Sequence, residues 1–376
     1  MRFSRSNRLP FLAAIAAFCL ACVEISPAQA LTVPETFVKF ASSPALENPG
    51  IIVVDPATDS TIFSDDADIT RAPASVLKLF SMVTVLNTFD ADTTFTTTLS
   101  TTATPGTYVM LGQSDPWITA SQFEATKYHR AFSPALINAA LAAHPGTRSL
   151  TLEYSGVYTQ DVQTLKRYYA GRVRITLKPI SSPSAAAAEA VTEVSRITSP
   201  KLADIVKFCL LWSDNVLADR LARTAAEKLG FGTGSTAIQS AFTQILGQYN
   251  IPSDGLVIKD GNGLSHDTRV SVRQIADLLL VIKATPKFGV IYDGLPTAGE
   301  TGTLKDRFVK DAPNAVGLVH AKTGTLSTTI SLAGYVTVGP EQYVFVVVAD
   351  HIHKHNVDAV AAMTTIDKML GTIARA

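Results

Sequence analysis

Hydrophobic residues follow a β-strand pattern near both ends of the chain and a helical pattern between them. Ile51–Val54 and Thr61–Phe63 are short β-favouring runs, and the Pro- and Asp-containing segment between them predicts a turn. The next run repeats its apolar residues at helical spacing, which predicts a helix with one buried face. The residues of that face are Val76, Leu79, Phe80, Val83 and Leu86.

The middle of the chain is less regular, and its tail returns to strands. A threonine-rich stretch ending at Gly112 predicts an exposed hairpin bent at Pro105-Gly106, and Ser181–Ala190 has the composition of a linker. Helical periodicity resumes after Ser199 and gives way to three β-favouring runs and a final amphipathic helix. Strands at both ends with helices between them predict an α+β domain closed by its own termini.

Residues 1–30 have the pattern of a secretory signal peptide. Arginines precede an apolar stretch that is short for a membrane span, and Ala28-Gln29-Ala30 is a small-x-small cleavage site. We therefore expect cleavage after Ala30, an extracytoplasmic location (secreted, periplasmic or in the cell envelope) and no transmembrane segment in the mature chain. Lipid attachment at Cys22 is the alternative, which Cys19 disfavours because an aliphatic residue is normal at its position.

Charge and cysteine content exclude two classes of function. Lys+Arg 32 balance Asp+Glu 32 and no basic run stands out, so nucleic acid is not expected as a partner. The mature chain would keep one cysteine, Cys209, inside an apolar run, and a single buried thiol makes neither an internal disulfide nor a cysteine-based metal site. We expect no cofactor.

Three alternating histidines near the C-terminus, His351, His353 and His355, offer a possible metal cluster. They fall where a polar loop is expected to follow the last strand, and no acidic pattern beyond Asp350 and Asp358 accompanies them. A loop without metal is the preferred interpretation.

Ser75 and Lys78 form the first chemical motif, S-x-x-K, behind Pro73 and at the predicted start of a helix. A spacing of three places the hydroxyl and the amine on one helix face, and the helix N-terminus favours negative charge developing at Ser75. Taken alone, the motif is also compatible with an ordinary helix start and a solvated lysine.

Two further motifs occur later in the chain. Ser213-Asp214-Asn215 lies between two helical patterns, where it would otherwise serve as a helix cap. Lys322-Thr323-Gly324-Thr325 lies on a predicted strand, where the structural alternative is a strand ending in a glycine bulge. The three motifs have the order and element types of serine penicillin-recognising enzymes: helix start, interhelical turn and strand.

With these motifs, the chain resembles the D-alanyl-D-alanine carboxypeptidase/endopeptidase family, the class C low-molecular-mass penicillin-binding proteins. Leu111–Trp117 is similar to the family's G-x-G-D-P turn, and Asp260–Ser271 to its D-G-S-G-L-S stretch. Leu295–Phe308 is similar to its L-P-x-A-G-x-x-G-T-L-x-x-R-F block, and Asp219 replaces the usual glutamate after the second motif.

The resemblance implies a β-lactamase/transpeptidase-like fold, with an antiparallel sheet, flanking helices and a helical subdomain. It implies a serine-type carboxypeptidase, possibly an endopeptidase, that acts on peptidoglycan stem peptides and is inhibited by β-lactams. Ser75 would attack the carbonyl between the two terminal D-alanines, with the N–H groups of Ser75 and Thr325 as the oxyanion hole. Lys78 would act as base, its pKa lowered by burial and by the charge of Lys322.

The same resemblance implies roles for the remaining motif residues. Ser213 would pass the proton to the leaving D-alanine, and Asn215 would hold the substrate amide and the catalytic lysine. The strand motif, Lys322 to Thr325 with Gly324 inside it, would bind the substrate and receive its terminal carboxylate. Trp212, beside Ser213, is interpreted as core packing rather than as a platform for the substrate.

The middle of the chain departs from the family pattern. Between Lys78 and Ser213 lie 213 − 78 = 135 positions, fewer than the family uses for its two inserted domains. We expect one reduced insert at 90–190 and a catalytic domain formed by 31–89 and 191–376.

Two other functions stay open. A secreted β-lactamase would share the three motifs, although no Glu-x-x-Leu-Asn lies between the first two. The other is a non-catalytic envelope-binding protein that keeps the fold, against which the intact motif residues argue.

Overall fold

A computed structural model describes residues 31–353 and 356–376, and strands from both ends of this region share a sheet. The predicted signal peptide lies outside the described residues. The strands are β1 (Asn48–Asp55), β2 (Ser60–Asp65), β3 (Thr70–Arg71), β4 (Thr96–Thr101), β5 (Thr107–Gly112), β6 (Ser149–Ser155), β7 (Arg174–Pro179), β8 (Thr192–Thr198), β9 (Val270–Ser271), β10 (Val319–Leu326), β11 (Thr329–Val338) and β12 (Glu341–Asp350).

Helices precede, separate and follow these strands. The α-helices are α1 (Glu35–Ala41), α2 (Lys78–Thr88), α3 (Gln122–Tyr128), α4 (Pro134–Ala143), α5 (Thr159–Tyr168), α6 (Pro183–Glu189), α7 (Leu202–Trp212), α8 (Asn215–Lys228), α9 (Ala237–Gln248), α10 (Val272–Ala284), α11 (Gly289–Asp293) and α12 (Asn356–Gly371). Short 3₁₀ helices span Pro44–Leu46, Ala74–Leu77, Pro286–Phe288, Gly302–Leu304 and Pro313–Ala315.

The first sheet has the strand order β10-β11-β12-β1-β2 and is antiparallel throughout. Strand β12 is buried from Tyr343 onward and β11 along almost its whole length, as expected for valine-rich strands covered on both faces. Helix α10 packs against β1 and β12, and α12 packs against β11. The predicted α+β class and the antiparallel sheet with flanking helices are therefore confirmed.

Helix α2 lies at the centre of the largest hydrophobic core. Every residue from Lys78 to Leu86 is buried, because α8, α9 and the 3₁₀ turn before α2 all pack against it. A helix that is buried on all sides is apolar around its circumference, and among the polar exceptions in α2 Lys78 lies at the site described below and Ser81 Oγ donates to the Gly261 carbonyl. This position keeps Lys78 away from solvent.

A second sheet is formed between Thr96 and Thr198, in the order β7-β6-β5-β4-β8. The predicted hairpin around Pro105-Gly106 is present as the antiparallel pair β4 and β5, whereas β5, β6 and β7 run parallel. The expectation that this hairpin is exposed is wrong. Leu99 and Met110 are buried because α4 and α5 cover one face of this sheet.

The predicted linker Ser181–Ala190 is also different in the structure, because most of it forms helix α6. Ser182 Oγ accepts a hydrogen bond from Ala185 N, Pro183 occupies the first helical turn, and Ala186 is buried. The helix packs against β5 and β6, so this alanine-rich segment belongs to the fold of the second sheet.

Candidate active site

Ser75 lies in the 3₁₀ turn that leads into α2, one turn before Lys78. Lys78 Nζ lies 2.8 Å from Ser75 Oγ and donates to it. Ala74, the residue before the serine, has a positive φ of 52°, and Gly263 packs so closely on the Ala74 carbonyl that a side chain at position 263 would collide with it. The serine is thus held by close backbone packing.

All three protons of the Lys78 ammonium have partners. Besides Ser75 Oγ, the amine donates to Asn215 Oδ1 at 2.8 Å and to the backbone carbonyl of Asn262 at 2.7 Å. The structure therefore brings the first two sequence motifs into direct contact. It also adds Asn262, which the sequence analysis did not single out.

Asp260 organises the loop that presents the Asn262 carbonyl. Its carboxylate accepts hydrogen bonds from the backbone N–H groups of Asn262, Gly263 and Ser265, at 3.2, 2.6 and 2.8 Å. Gly261 N donates to Asp219 Oδ1 at 3.0 Å, so the aspartate that replaces the usual glutamate still anchors this loop. The D-G-N-G sequence is the signal that could have revealed the loop's role.

The second motif forms the turn between α7 and α8. Ser213 ends α7 in the left-handed conformation with φ 57°, and Asp214 caps α8 by accepting from Leu217 N at 2.9 Å. Asn215 begins α8 and so faces Lys78. A non-glycine residue held at positive φ is strained, and the cap and the helix on either side fix it.

The third motif lies on β10, at the edge of the first sheet. Lys322 Nζ donates to Ser213 Oγ at 2.9 Å and to the Thr323 carbonyl at 2.8 Å, which joins the second and third motifs. At Gly324 a Cβ atom would lie 2.9 Å from the Pro73 carbonyl, so only glycine lets β10 approach the segment before Ser75. Ser331 Oγ on β11 donates to that same carbonyl at 2.8 Å.

Both lysines are completely buried, and burial disfavours their charged forms. Burial lowers the pKa of Lys78 to about 8, against smaller opposing effects of Cys209, Asp260 and Asp214. The pKa of Lys322 is lowered well below its usual value, first by burial and then by the charge of Lys78. Repulsion between the two ammonium groups disfavours having both charged at once, and burial is the larger cause at each lysine.

An open cleft of about 310 Å³ leads to these groups. The sequence-predicted residues at its walls are Ser75, Ser213, Asn215, Thr323 and Thr325. The others, which the sequence analysis did not assign, are Leu264, Thr303, Arg307 and Met363. Lys78, Lys322 and Gly324 lie behind the walls, with both lysines 0% exposed.

Two further expectations concern Trp212 and the histidines near the C-terminus. Trp212 is 51% exposed, so its interpretation as core packing is wrong. His353 is exposed and its Nδ1 lies 2.9 Å from Glu47 Oε1, whereas His355 lies outside the described residues. Within 31–353 and 356–376, no three His, Cys, Asp or Glu side chains are arranged to hold a metal ion.

None of the helices in the described residues is both long enough and apolar enough to cross a membrane. Cys209 is buried as predicted, and its thiol donates to the Asp214 carbonyl.

Comparison with known proteins agrees with the geometry. Residues 36–130 and 154–373 match the model of the D-Ala-D-Ala carboxypeptidase 3 (S13) family. The carboxypeptidase DacB of Mycolicibacterium smegmatis is 26% identical over 349 residues, which cover 79% of this chain and 76% of the relative.

Solved structures share the fold. Penicillin-binding protein 4 (DacB) of Haemophilus influenzae, solved with a β-lactam, superposes with a TM-score of 0.69 at 16% identity, covering 88% of this chain and 98% of that chain. A predatory endopeptidase of Bdellovibrio bacteriovorus, solved with its immunity protein, gives a TM-score of 0.61 at 16% identity over 85% of this chain and 90% of that chain. By the extent of its family match, this chain is an enzyme that belongs to the D-Ala-D-Ala carboxypeptidase 3 (S13) family.

Proposed function

We propose that this protein is an extracytoplasmic serine D-Ala-D-Ala carboxypeptidase that cleaves peptidoglycan stem peptides through an acyl-enzyme on Ser75. The observation that carries the proposal is the hydrogen bond between Lys78 Nζ and Ser75 Oγ at 2.8 Å, at the end of an open cleft. A serine hydroxyl is a weak nucleophile unless a base within hydrogen-bond reach takes its proton.

Lys78 can be that base because its pKa of about 8 leaves about one tenth of the amine neutral at pH 7, far more than an exposed lysine would have. In the acylation step the neutral amine takes the Ser75 proton while Oγ attacks the carbonyl carbon of the penultimate D-alanine. Asn215 and the Asn262 carbonyl hold the amine in place before and after it gains the proton. The bond between the two D-alanines then breaks.

The backbone N–H groups of Ser75 and Thr325 are suited to bind the oxyanion that forms in this step. Ser75 stands at the start of a helical turn, where N–H groups have no intrahelical partner. On β10 the odd-numbered residues point their N–H groups to the open edge, because Ala321 N donates outward to Pro296 O. Thr325 is in register with Ala321, so its N–H also points to the open edge.

Departure of the terminal D-alanine requires a proton on its nitrogen. Ser213 Oγ lines the cleft and accepts a hydrogen bond from Lys322 Nζ, which forms a path from the buried amine to the leaving group. Thr323 and Thr325 present hydroxyls in the same cleft, where they can hold the terminal carboxylate. Water then hydrolyses the acyl-enzyme and regenerates Ser75.

Two measurements test the proposal, one with a peptide substrate and one with a β-lactam. A stem-peptide analogue ending in D-Ala-D-Ala should lose one D-alanine, and mass spectrometry should find benzylpenicillin attached to the peptide that contains Ser75. The adduct should persist for minutes or longer, because no Glu-x-x-Leu-Asn lies between the first two motifs to activate the deacylating water. Rapid multiple-turnover hydrolysis of nitrocefin without D-alanine release would instead identify a β-lactamase.

A further inference from the structure

The cleft contains a cation that the three motifs do not include. Lys322 is the motif lysine expected to receive the substrate carboxylate, yet its side chain is 0% exposed and its amine faces Ser213 Oγ and the Thr323 carbonyl. Arg307 does line the cleft, together with Thr323 and Thr325. The charged group that a ligand in this cleft can touch is therefore the arginine.

The Arg307 guanidinium is held on one side and open on the other. Its Nε donates to both oxygens of Asp367 at 3.0 and 3.2 Å, and its Nη2 donates to Asp367 and to the Met363 carbonyl. Within the described residues its Nη1 makes no hydrogen bond, so the two N–H groups on that nitrogen are available. Arginine's planar group suits a carboxylate because it offers donors at fixed positions.

Asp367 makes the arginine rigid. Its carboxylate is 5% exposed in the ion pair, whereas the arginine side chain is 14% exposed, so α12 holds the pair from behind. The backbone N–H of Phe308 donates to the same carboxylate at 3.3 Å. A charged donor that is already fixed loses little entropy when a ligand binds.

Hydroxyl groups complete the subsite. Thr303, which also lines the cleft, lies four positions before Arg307, and its Oγ1 is 2.8 Å from Thr323 Oγ1. Together with Thr325, the subsite offers three hydroxyls and one guanidinium edge, and among the described residues no carboxylate side chain lines the cleft. This combination suits a small carboxylate ligand.

We infer that Arg307 is the cation that selects substrates ending in a free carboxylate, with Asp367 as its positioning residue, while Lys322 acts on the proton path through Ser213. The inference rests on the proposed function, because it concerns the product side of the same cleavage. It moves the charged contact with the terminal carboxylate, which the resemblance assigned to the strand motif that begins at Lys322, to Arg307.

The experiment compares two peptides that differ only in their last group, D-Ala-D-Ala with a free carboxylate and the same peptide as its carboxamide. Release of D-alanine or D-alaninamide is measured by mass spectrometry. Wild-type enzyme should prefer the acid. Arg307→Gln should lower kcat/KM for the acid by about 10- to 150-fold, mainly through KM, and change the amide only a few-fold.

Further variants guard against simple misfolding. Arg307→Gln combined with Asp367→Asn removes both charges, so that no unpaired carboxylate remains buried, and should show the same loss of preference. Arg307→Lys keeps the charge and should restore part of it. Arg196→Gln, which changes an exposed arginine on β8, should leave both substrates unaffected.

Lys322→Met provides the contrast. It should lower kcat for both peptides and leave the acid preference intact, because its effect passes through Ser213. The inference is overturned if Arg307→Gln lowers both peptides equally, or if Lys322→Met alone abolishes the preference. A wild-type enzyme that cleaves neither peptide would contradict the proposed function itself.

Discussion

The two sheets of this protein treat charged side chains in opposite ways. Beside the first sheet, Lys78 and Lys322 are fully buried, and in the described part of the chain neither forms an ion pair with a carboxylate. On the second sheet, Lys178 pairs with Glu153 and Arg196 with Glu193, and both cations are more than half exposed. Burying a lysine without a counter-charge lowers the free energy of unfolding, whereas an exposed ion pair changes it very little.

This difference locates the chemistry. A buried ammonium whose hydrogen-bond partners are hydroxyl, amide and carbonyl groups loses its hydration without gaining a counter-charge. Packing alone would be better served by an apolar side chain of similar size. The burial of the lysines at the first sheet therefore supports the chemical role proposed for them, and the second sheet provides a region in which matched control substitutions can be made.

The largest expected effect comes from the nucleophile. Ser75→Ala should reduce D-alanine release by at least about 10⁴-fold and abolish the benzylpenicillin adduct, because no other hydroxyl is paired with Lys78 at the helix start. The adduct is measured by intact-protein mass spectrometry. Ser195→Ala on β8, whose hydroxyl donates to the Leu136 carbonyl, is the matched control and should label normally. A persistent adduct on Ser75→Ala would move the nucleophile elsewhere.

The next effect is on stability. Because folding lowers the pKa of Lys78 from 10.5 to about 8, the unfolded chain holds the proton between these values and the folded chain does not. The free energy of unfolding should therefore gain about 3 kcal/mol from this residue as the pH rises from 8 to 10.5, and the same amount is lost as the pH falls from 10.5 to 8.

Urea denaturation at several pH values measures this gain. Lys78→Met should lack that part of the pH dependence, and Lys178→Met should retain it. Identical slopes for Lys78→Met and wild type would show that Lys78 keeps its proton on folding.

A smaller effect concerns the reaction rate. If neutral Lys78 is the base, the second-order rate of acylation by benzylpenicillin should rise about tenfold between pH 7 and pH 9, with its midpoint near 8. The adduct is followed by quenched-flow mass spectrometry. A rate that stays constant over this range would assign the base to another group, and Lys178→Met should reproduce the wild-type profile.

The smallest effect is expected in the second sheet. Lys178 Nζ lies 3.8 Å from Glu153 Oε1 and is largely exposed, so Lys178→Met should change the free energy of unfolding by less than about 1 kcal/mol. Thermal and urea unfolding both measure it. A loss comparable to that from a core substitution would remove the contrast between the sheets.

The sequence predicts the motif residues of the site better than it predicts the contacts and secondary structure of the segments around them. The three motifs can be found because each joins residue types with a chemical purpose at fixed spacing, and the structure brings them into contact. Asn262 contributes a backbone carbonyl, which leaves no trace in the choice of side chain. The pairing of Arg307 with Asp367 is invisible for another reason: the two residues are 60 positions apart and meet only through the tertiary fold.

Helix α6 shows where local signals were overlooked. A small-residue composition suggested a linker, but Ser182 followed by Pro183 and a run of alanines is also a helix start with a strong helix former behind it. Trp212 shows a property that local sequence signals do not contain. Its burial depends on what covers the turn before Ser213, and a single sequence does not contain that information.

The pairing of β1 with β12 has a consequence for how the enzyme gains activity. Ala72 N, three residues before Ser75, donates to Asp350 Oδ2 at the end of β12, over a separation of 278 positions. Contacts of such high sequence separation close large loops and form slowly, so the site is assembled only after nearly the whole chain is available. Recovery of penicillin labelling after dilution from denaturant would therefore follow completion of the fold, and a chain lacking β12 would carry its catalytic residues without an active site.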